Sequence, residues 1–143
     1  MNEQLIRKRS GFTLIELLLV LAILGAIMAM VVPDLLNRQT YANVDATRGS
    51  IAGAEKAVEM YSIDHLGKYP TSAEGFQVLV SRQSQDKRWR GPYLESKPKD
   101  AWGNPLTYVY PPRNNNGKFD IISAGPDGKH GTSDDIGNWE TDQ

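Results

Sequence analysis

Cysteine is absent from this 143-residue sequence. That excludes a disulfide framework, a thiolate metal site and a cysteine nucleophile. Histidine is nearly absent: His65 and His130 are the only two, and neither belongs to a recognisable Ser/His/Asp or metal-hydrolase pattern. An excess of one charge is missing as well, with 16 Lys and Arg against 17 Asp and Glu and a formal net charge of −1. A uniformly basic nucleic-acid binder and a strongly acidic disordered tail are therefore excluded. The length allows one ordinary domain, or a small domain with an appendage. A mean hydropathy of −0.44 is that of an average soluble protein, but the apolar residues are unevenly spread.

Residues 12–32 form an apolar block with one ionisable group, Glu16. As a helix this block is roughly 31 Å long, about the thickness of a bilayer's hydrocarbon core. It is too long and too uniformly apolar for a core helix of so small a domain, and it reads as a membrane span. Arg7, Lys8 and Arg9 precede it, whereas only Asp34 and Arg38 are charged just after it. The positive-inside rule then places the N-terminus in the cytoplasm and residues 34–143 across the membrane. Val31-Val32-Pro33 is a poor signal-peptidase sequence. Glu16 is the anomaly, because a carboxylate in hydrocarbon costs on the order of a few kcal/mol and needs a partner. No cation lies three or four residues beyond it, so the expected partner is elsewhere, including on another chain.

Pro33 removes a helical hydrogen bond and is expected to kink or end the helix, yet helical patterning resumes beyond it. Val44, Thr47, Ile51, Ala54, Val58 and Tyr61 are spaced to form one helix face. A helix from Phe12 to about Ile63 would span roughly 78 Å, half in the membrane and half packed on a head. Small residues recur at spacing four (Ala22 and Ala26, Gly25 and Ala29, Gly49 and Gly53), which is compatible with helix bundling.

Gly67-Lys68-Tyr69-Pro70 breaks the helix. Thr71-Ser72-Ala73-Glu74 has capping-box spacing and predicts a short helix to about Arg82. Residues 82–99 carry six basic groups with Trp89 and Tyr93 among them; without a nucleic-acid fold this is a solvated loop or a subunit contact. Asp100 to Pro105 is a turn. Leu106 to Tyr110 and Lys118 to Ser123 read as strands joined by a hairpin loop at 111–117. So small a head has a thin core and calls for an extra staple. Residues 124–135 hold three Gly and three Asp. Asp127, Asp134 and Asp135 with inward-turned carbonyls would make a hard oxygen site, suited to Ca²⁺. It is no EF-hand, and composition alone favours a solvated acidic loop.

The run Lys8-Arg9-Ser10-Gly11-Phe12-Thr13-Leu14-Ile15-Glu16 resembles the class III signal of type IV pilins and pseudopilins. That resemblance implies cleavage between Gly11 and Phe12 by a prepilin peptidase/N-methyltransferase, which then methylates Phe12. It makes Glu16 the acid at the fifth mature position. The new ammonium of Phe12 can pair with Glu16 of a neighbouring subunit, removing two unpaired charges together. Asp100-Ala-Trp-Gly-Asn-Pro, Phe119-Asp-Ile-Ile-Ser, Asp127-Gly and Ser133-Asp-Asp-Ile-Gly-Asn-Trp139 are similar to the major, G-type pseudopilins of type II secretion. Ala101, where Pro is more usual, is a mild departure.

The resemblance implies an α+β, type IV pilin-like fold, with a long N-terminal helix on a small antiparallel β-sheet head bearing a calcium-binding C-terminal loop. Its expected parts are a leader at 1–11, a transmembrane helix at 12–32, a stalk helix at 33–65, and a periplasmic head at 66–143 with its loop at 124–136. The implied calcium ligands are the side chains of Asp127, Asp134 and Asp135 and the carbonyls of Ala124, Lys129 and Thr132. The implied role is an inner-membrane, single-pass structural subunit that polymerises into a periplasmic pseudopilus. Its implied partners are copies of itself, minor pseudopilins, the prepilin peptidase, the inner-membrane assembly platform and membrane lipid, with no nucleic acid. The nearest alternative is a true type IV pilin, and an alternative of another class is a membrane-tethered enzyme.

Overall fold

The computed structural model describes residues 11–115 and 117–139. The leader assigned to residues 1–11 thus lies outside the described residues except for Gly11. Helix α1, Leu14–Asp64, opens on a capping box. The Thr13 N–H and hydroxyl both donate to Glu16 Oε2, at 2.8 and 2.9 Å, and the Glu16 N–H donates to Thr13 Oγ1 at 3.3 Å. Two of the N–H groups that every helix start leaves orphaned are satisfied this way. Leu, Ala and Met, which favour helix, dominate the next turns. The helix runs through Pro33 to Asp64, so proline does not end it. Two compact units result, residues 1–38 and 39–143, and α1 contributes to both.

In the first unit the described side chains of the apolar block are all exposed. One helix is thus long and apolar enough to cross a membrane, and none of that apolar stretch is buried in the chain's own core.

In the second unit α1 supplies one wall of the core. Thr47, Ile51, Ala54, Val58 and Tyr61 are buried and Val44 is half-buried, matching the period read from the sequence. Helix α1 ends where Leu66 and Gly67 adopt positive φ and the Gly67 N–H reaches back to the Ser62 carbonyl at 2.8 Å. Helix α2 is only Gln77–Val80, shorter than expected. The capping box forms, with Thr71 N–H and Oγ1 each 2.8 Å from Glu74 Oε2. Gly75, at φ +52, then breaks the helical path after one turn.

Strands β1 (Thr107–Val109), β2 (Asp120–Ser123) and β3 (Ile136–Gly137) form an antiparallel sheet in the order β1-β2-β3. Tyr108 faces Ile121 across the first pair, and Ser123 faces Ile136 across the second. Phe76, Leu79, Leu106, Tyr108, Phe119 and Ile121 close the core against α1. Rings fill it: Tyr69 and Tyr108 lie 5.2 and 5.7 Å from Phe119 between centroids. A long N-terminal helix with a small antiparallel sheet is the architecture the sequence implied.

Candidate functional site

Two places carry the residues singled out from the sequence. At the N-terminal end, Gly11 and Phe12 are exposed and precede the helix. Glu16 sits in the first turn and already has a partner in Thr13, three residues before it rather than after it. Both of those bonds use Oε2.

The other place is the loop between β2 and β3. It begins on the buried Ala124 and Gly125 and runs over exposed residues 126–133 to the half-buried Asp134 and Asp135. Its carboxylates organise its own backbone. Asp127 Oδ1 accepts the Lys129 N–H at 2.8 Å, and Asp135 Oδ2 accepts the Gly131 N–H at 2.7 Å. Asp134 accepts the Thr132 hydroxyl at 2.6 Å and the Asp127 N–H at 3.2 Å. The Thr132 hydroxyl holds the Asp134 carboxyl below the usual carboxylate range, so Asp134 is an anion at neutral pH. The Thr132 carbonyl accepts the Asp135 N–H at 3.4 Å, and the Lys129 carbonyl lies 3.0 Å from Thr132 Oγ1, whose single proton serves Asp134.

Among the described residues, no three acidic or histidine side chains are gathered into a metal-binding group. Asp127, Asp134 and Asp135 share a loop, each turned toward a backbone or hydroxyl donor. Two features nevertheless suit a hard cation. Asp135 Oδ1 is buried without a hydrogen-bond partner, a costly state for a carboxylate oxygen unless something positive meets it. Gly125, at φ +63, lies so close to the Asp134 carbonyl that any Cβ there would collide with it. The two ends of the loop are thereby brought together. The donor set is all oxygen and partly anionic, which is the chemistry calcium takes.

Three residues central to this region were not legible as such. Asp120 is fully buried and accepts the N–H groups of Arg113, Asn114 and Asn115 at 2.7, 2.9 and 3.1 Å. Asp100 is buried, and its Oδ1 accepts the Trp102 and Asn104 N–H groups at 3.0 and 2.8 Å. Its other oxygen, Oδ2, accepts the Ser123 hydroxyl at 2.8 Å. Asn138 extends the sheet edge by side chain, accepting the Ile121 N–H at 2.9 Å and donating to the Phe119 carbonyl at 3.1 Å. The available signals were Asp followed by Gly-Asn at 100–104, a turn pattern, and the family motifs that contain all three residues without assigning them a role.

A cleft of about 470 Å³ brings His65, Ser84 and Asp86 together. His65 Nε2 is 2.7 Å from Asp86 Oδ2, and Nδ1 is 2.7 Å from the Tyr61 carbonyl. Both ring nitrogens are engaged with acceptors, so neither is available to take a proton from Ser84.

Residues 34–139 match the family model for type II secretion system (T2SS), protein G, and residues 6–32 match the prokaryotic N-terminal methylation motif. The type II secretion system core protein G of Pseudomonas aeruginosa is 42% identical over 141 residues, covering 94% of this chain and 97% of that protein. The protein of the same name from Aeromonas hydrophila is 39% identical, covering 93% and 94%. The crystal structure of the major pseudopilin from the type 2 secretion system of enterohaemorrhagic Escherichia coli superposes with a TM-score of 0.64 at 31% identity, covering 76% of this chain and 94% of that one. Fold, methylation motif and relatives agree: the chain belongs to the type II secretion system protein G family, the major pseudopilins.

Proposed function

We propose that this structural subunit is made as a membrane-inserted precursor, cut between Gly11 and Phe12, methylated on Phe12 and polymerised into a periplasmic pseudopilus. The chain is a structural component of the type II secretion pseudopilus and not an enzyme. It is anchored in the membrane by its N-terminal apolar helix. The observation that carries the reading is that helix itself: residues 14–32 are exposed all round, so they are stable first in lipid and then against other helices of the same kind. The N-terminus stays cytoplasmic and the head periplasmic, by the charge bias at Arg7, Lys8 and Arg9.

During assembly the Phe12 ammonium of an incoming subunit pairs with Glu16 of a neighbour. Further partners are minor pseudopilins, the prepilin peptidase/N-methyltransferase, the inner-membrane assembly platform and membrane lipid. Calcium orders the loop at 124–136, held by the carboxylates of Asp127, Asp134 and Asp135 and by the carbonyls of Ala124, Lys129 and Thr132. The orphaned Asp135 Oδ1 supports this reading. Bound calcium supplies the positive charge that such an oxygen lacks, and its affinity for the folded state adds to stability.

Intact-mass and N-terminal analysis of protein extracted from membranes tests the processing. The expected product starts at Phe12 with one added methyl group; an unprocessed or signal-peptidase-cut chain would refute it. Deletion of the protein should block export of folded periplasmic proteins, which separates a pseudopilin from a type IV pilin.

A further inference from the structure

Asp100 and Ser123 lie outside the ligand set proposed above, yet both are buried and both lead into it. Asp100 Oδ2 accepts the Ser123 hydroxyl at 2.8 Å, and Ser123 Oγ in turn accepts the Gly125 N–H at 3.1 Å. A backbone N–H can only donate, so Ser123 Oγ is the acceptor toward Gly125 and the donor toward Asp100. The hydroxyl proton of Ser123 is therefore committed to Asp100, and its lone pairs are left for the Gly125 N–H. The relay has one direction.

That direction bears on the cation loop through peptide planarity. The Gly125 N–H belongs to the same peptide unit as the Ala124 carbonyl, and that unit is not among the cis bonds of the chain. In a planar trans peptide the carbonyl points opposite to the N–H. Fixing the Gly125 N–H on Ser123 fixes the Ala124 carbonyl pointing away from Ser123. Asp100 is itself immobilised by the Trp102 and Asn104 N–H groups, and the Ala101 N–H bonds Thr47 Oγ1 on α1 at 3.1 Å. A carbonyl at the mouth of the loop is thus referenced to the main helix through two side chains.

We infer that Ser123, oriented by Asp100, is the positioning residue that presents the Ala124 carbonyl to a divalent cation in the 124–135 loop. This rests on the calcium reading above. Neither residue touches the ion; both set in advance the direction of one ligand. Outer-shell partners of this kind typically change metal affinity by about 10–100-fold.

The test uses the full-length protein in detergent micelles, with calcium affinity measured by calorimetry and melting temperature measured with calcium and with chelator. Ser123→Ala should weaken calcium binding about 10–100-fold and shrink the calcium-induced rise in melting temperature. A merely structural loss would lower both melting curves equally and leave that rise intact, which would overturn the inference. Asp100→Asn should shift affinity in the same sense. Should either variant fail to fold, amide hydrogen exchange of the wild-type protein in chelator decides. A Gly125 amide protected before calcium is added supports a pre-set peptide, and free exchange refutes it. If the wild-type protein binds no calcium, the calcium reading and this inference fall together. If it binds and Ser123→Ala binds equally well, only the inference falls.

Discussion

His65 Nε2 stands 2.7 Å from Asp86 Oδ2 while its ring lies flat on Tyr61, 3.7 Å between centroids and 9° from parallel. The Tyr61 carbonyl can only accept, so Nδ1 is the donor in that bond, and Nε2 faces the carboxylate. This pair ties the end of α1 to the basic loop that follows α2. Burial pushes the Asp86 carboxyl up, but hydrogen bonds from His65 and the Arg88 N–H outweigh it and hold the carboxyl below its ordinary range.

The pH dependence follows from that direction. With the folded carboxyl depressed below its unfolded value of about 3.9, the unfolded chain takes up the proton first on acidification. The contribution is complete above the unfolded value and is lost as pH falls through the folded one. The melting temperature of the wild-type protein should therefore fall below about pH 4, and Asp86→Asn should flatten that slope. Replacing His65 by Ala should cost about 2 kcal/mol at neutral pH, the worth of hydrogen bonds to a charged group. Melting curves of wild type and variants from pH 2.5 to 7 check both; parallel curves would show that the pair contributes nothing.

Asp120 is the second target. Its carboxylate is fully buried among three backbone N–H groups. Asp120→Ala leaves all three without an acceptor and should destabilise by about 3 kcal/mol. For a unit of roughly 100 residues that lowers the melting temperature by more than about 10 °C. A variant melting within 2 °C of the wild type would mean that water satisfies the loop equally well.

In the proposed assembly Glu16 has two separable jobs. Its bond to Thr13 caps the helix, and glutamine at the same position caps a helix almost as well. Pairing with the Phe12 ammonium of a neighbour needs the negative charge. Glu16→Gln should therefore insert and be processed normally but assemble poorly, and Glu16→Ala likewise. Filament yield on shearing and membrane fractionation read the two separately. Normal filaments from Glu16→Gln would reduce Glu16 to a cap.

Calcium in excess should raise the melting temperature of the full-length protein, by about 2.7 kcal/mol of added stability at a hundredfold excess over the dissociation constant. Asp135→Asn should reduce that gain, because Asp135 brings the orphaned buried oxygen. Chelator should reverse it. An unchanged melting curve with calcium and with chelator would refute the site.

Much of the fold was legible because it is periodic. The stripe from Val44 to Tyr61 repeats with the helix and is buried or half-buried almost residue by residue. Tyr108 and Ile121 sit in alternating segments and pair across the hairpin. Strand β3 has two residues, too few to show alternation inside a glycine-rich, acidic stretch. Helix α2 was overestimated because the backbone state of Gly75 is invisible in a capping-box pattern. The Thr13-x-x-Glu16 cap has a sequence signature, but a search for a cationic partner passes over a neutral threonine. Asp100, Asp120 and Asn138 act through bonds to other segments, which one-dimensional spacing does not contain. The family motifs contain the acidic loop and also Asp100 and Ser123 beneath it, but they implied a role only for the loop.

The buried carboxylates have a consequence for how the head comes to be folded. Small exported domains often close their loops with a covalent bond that needs an oxidant and sometimes an isomerase to correct it. Here Asp120 closes the 113–115 turn, and Asp100 closes the 102–104 turn, by reversible bonds between groups the chain already carries. Those joints are hydrogen bonds and need no oxidant to form. The head can therefore fold indifferent to the redox state around it.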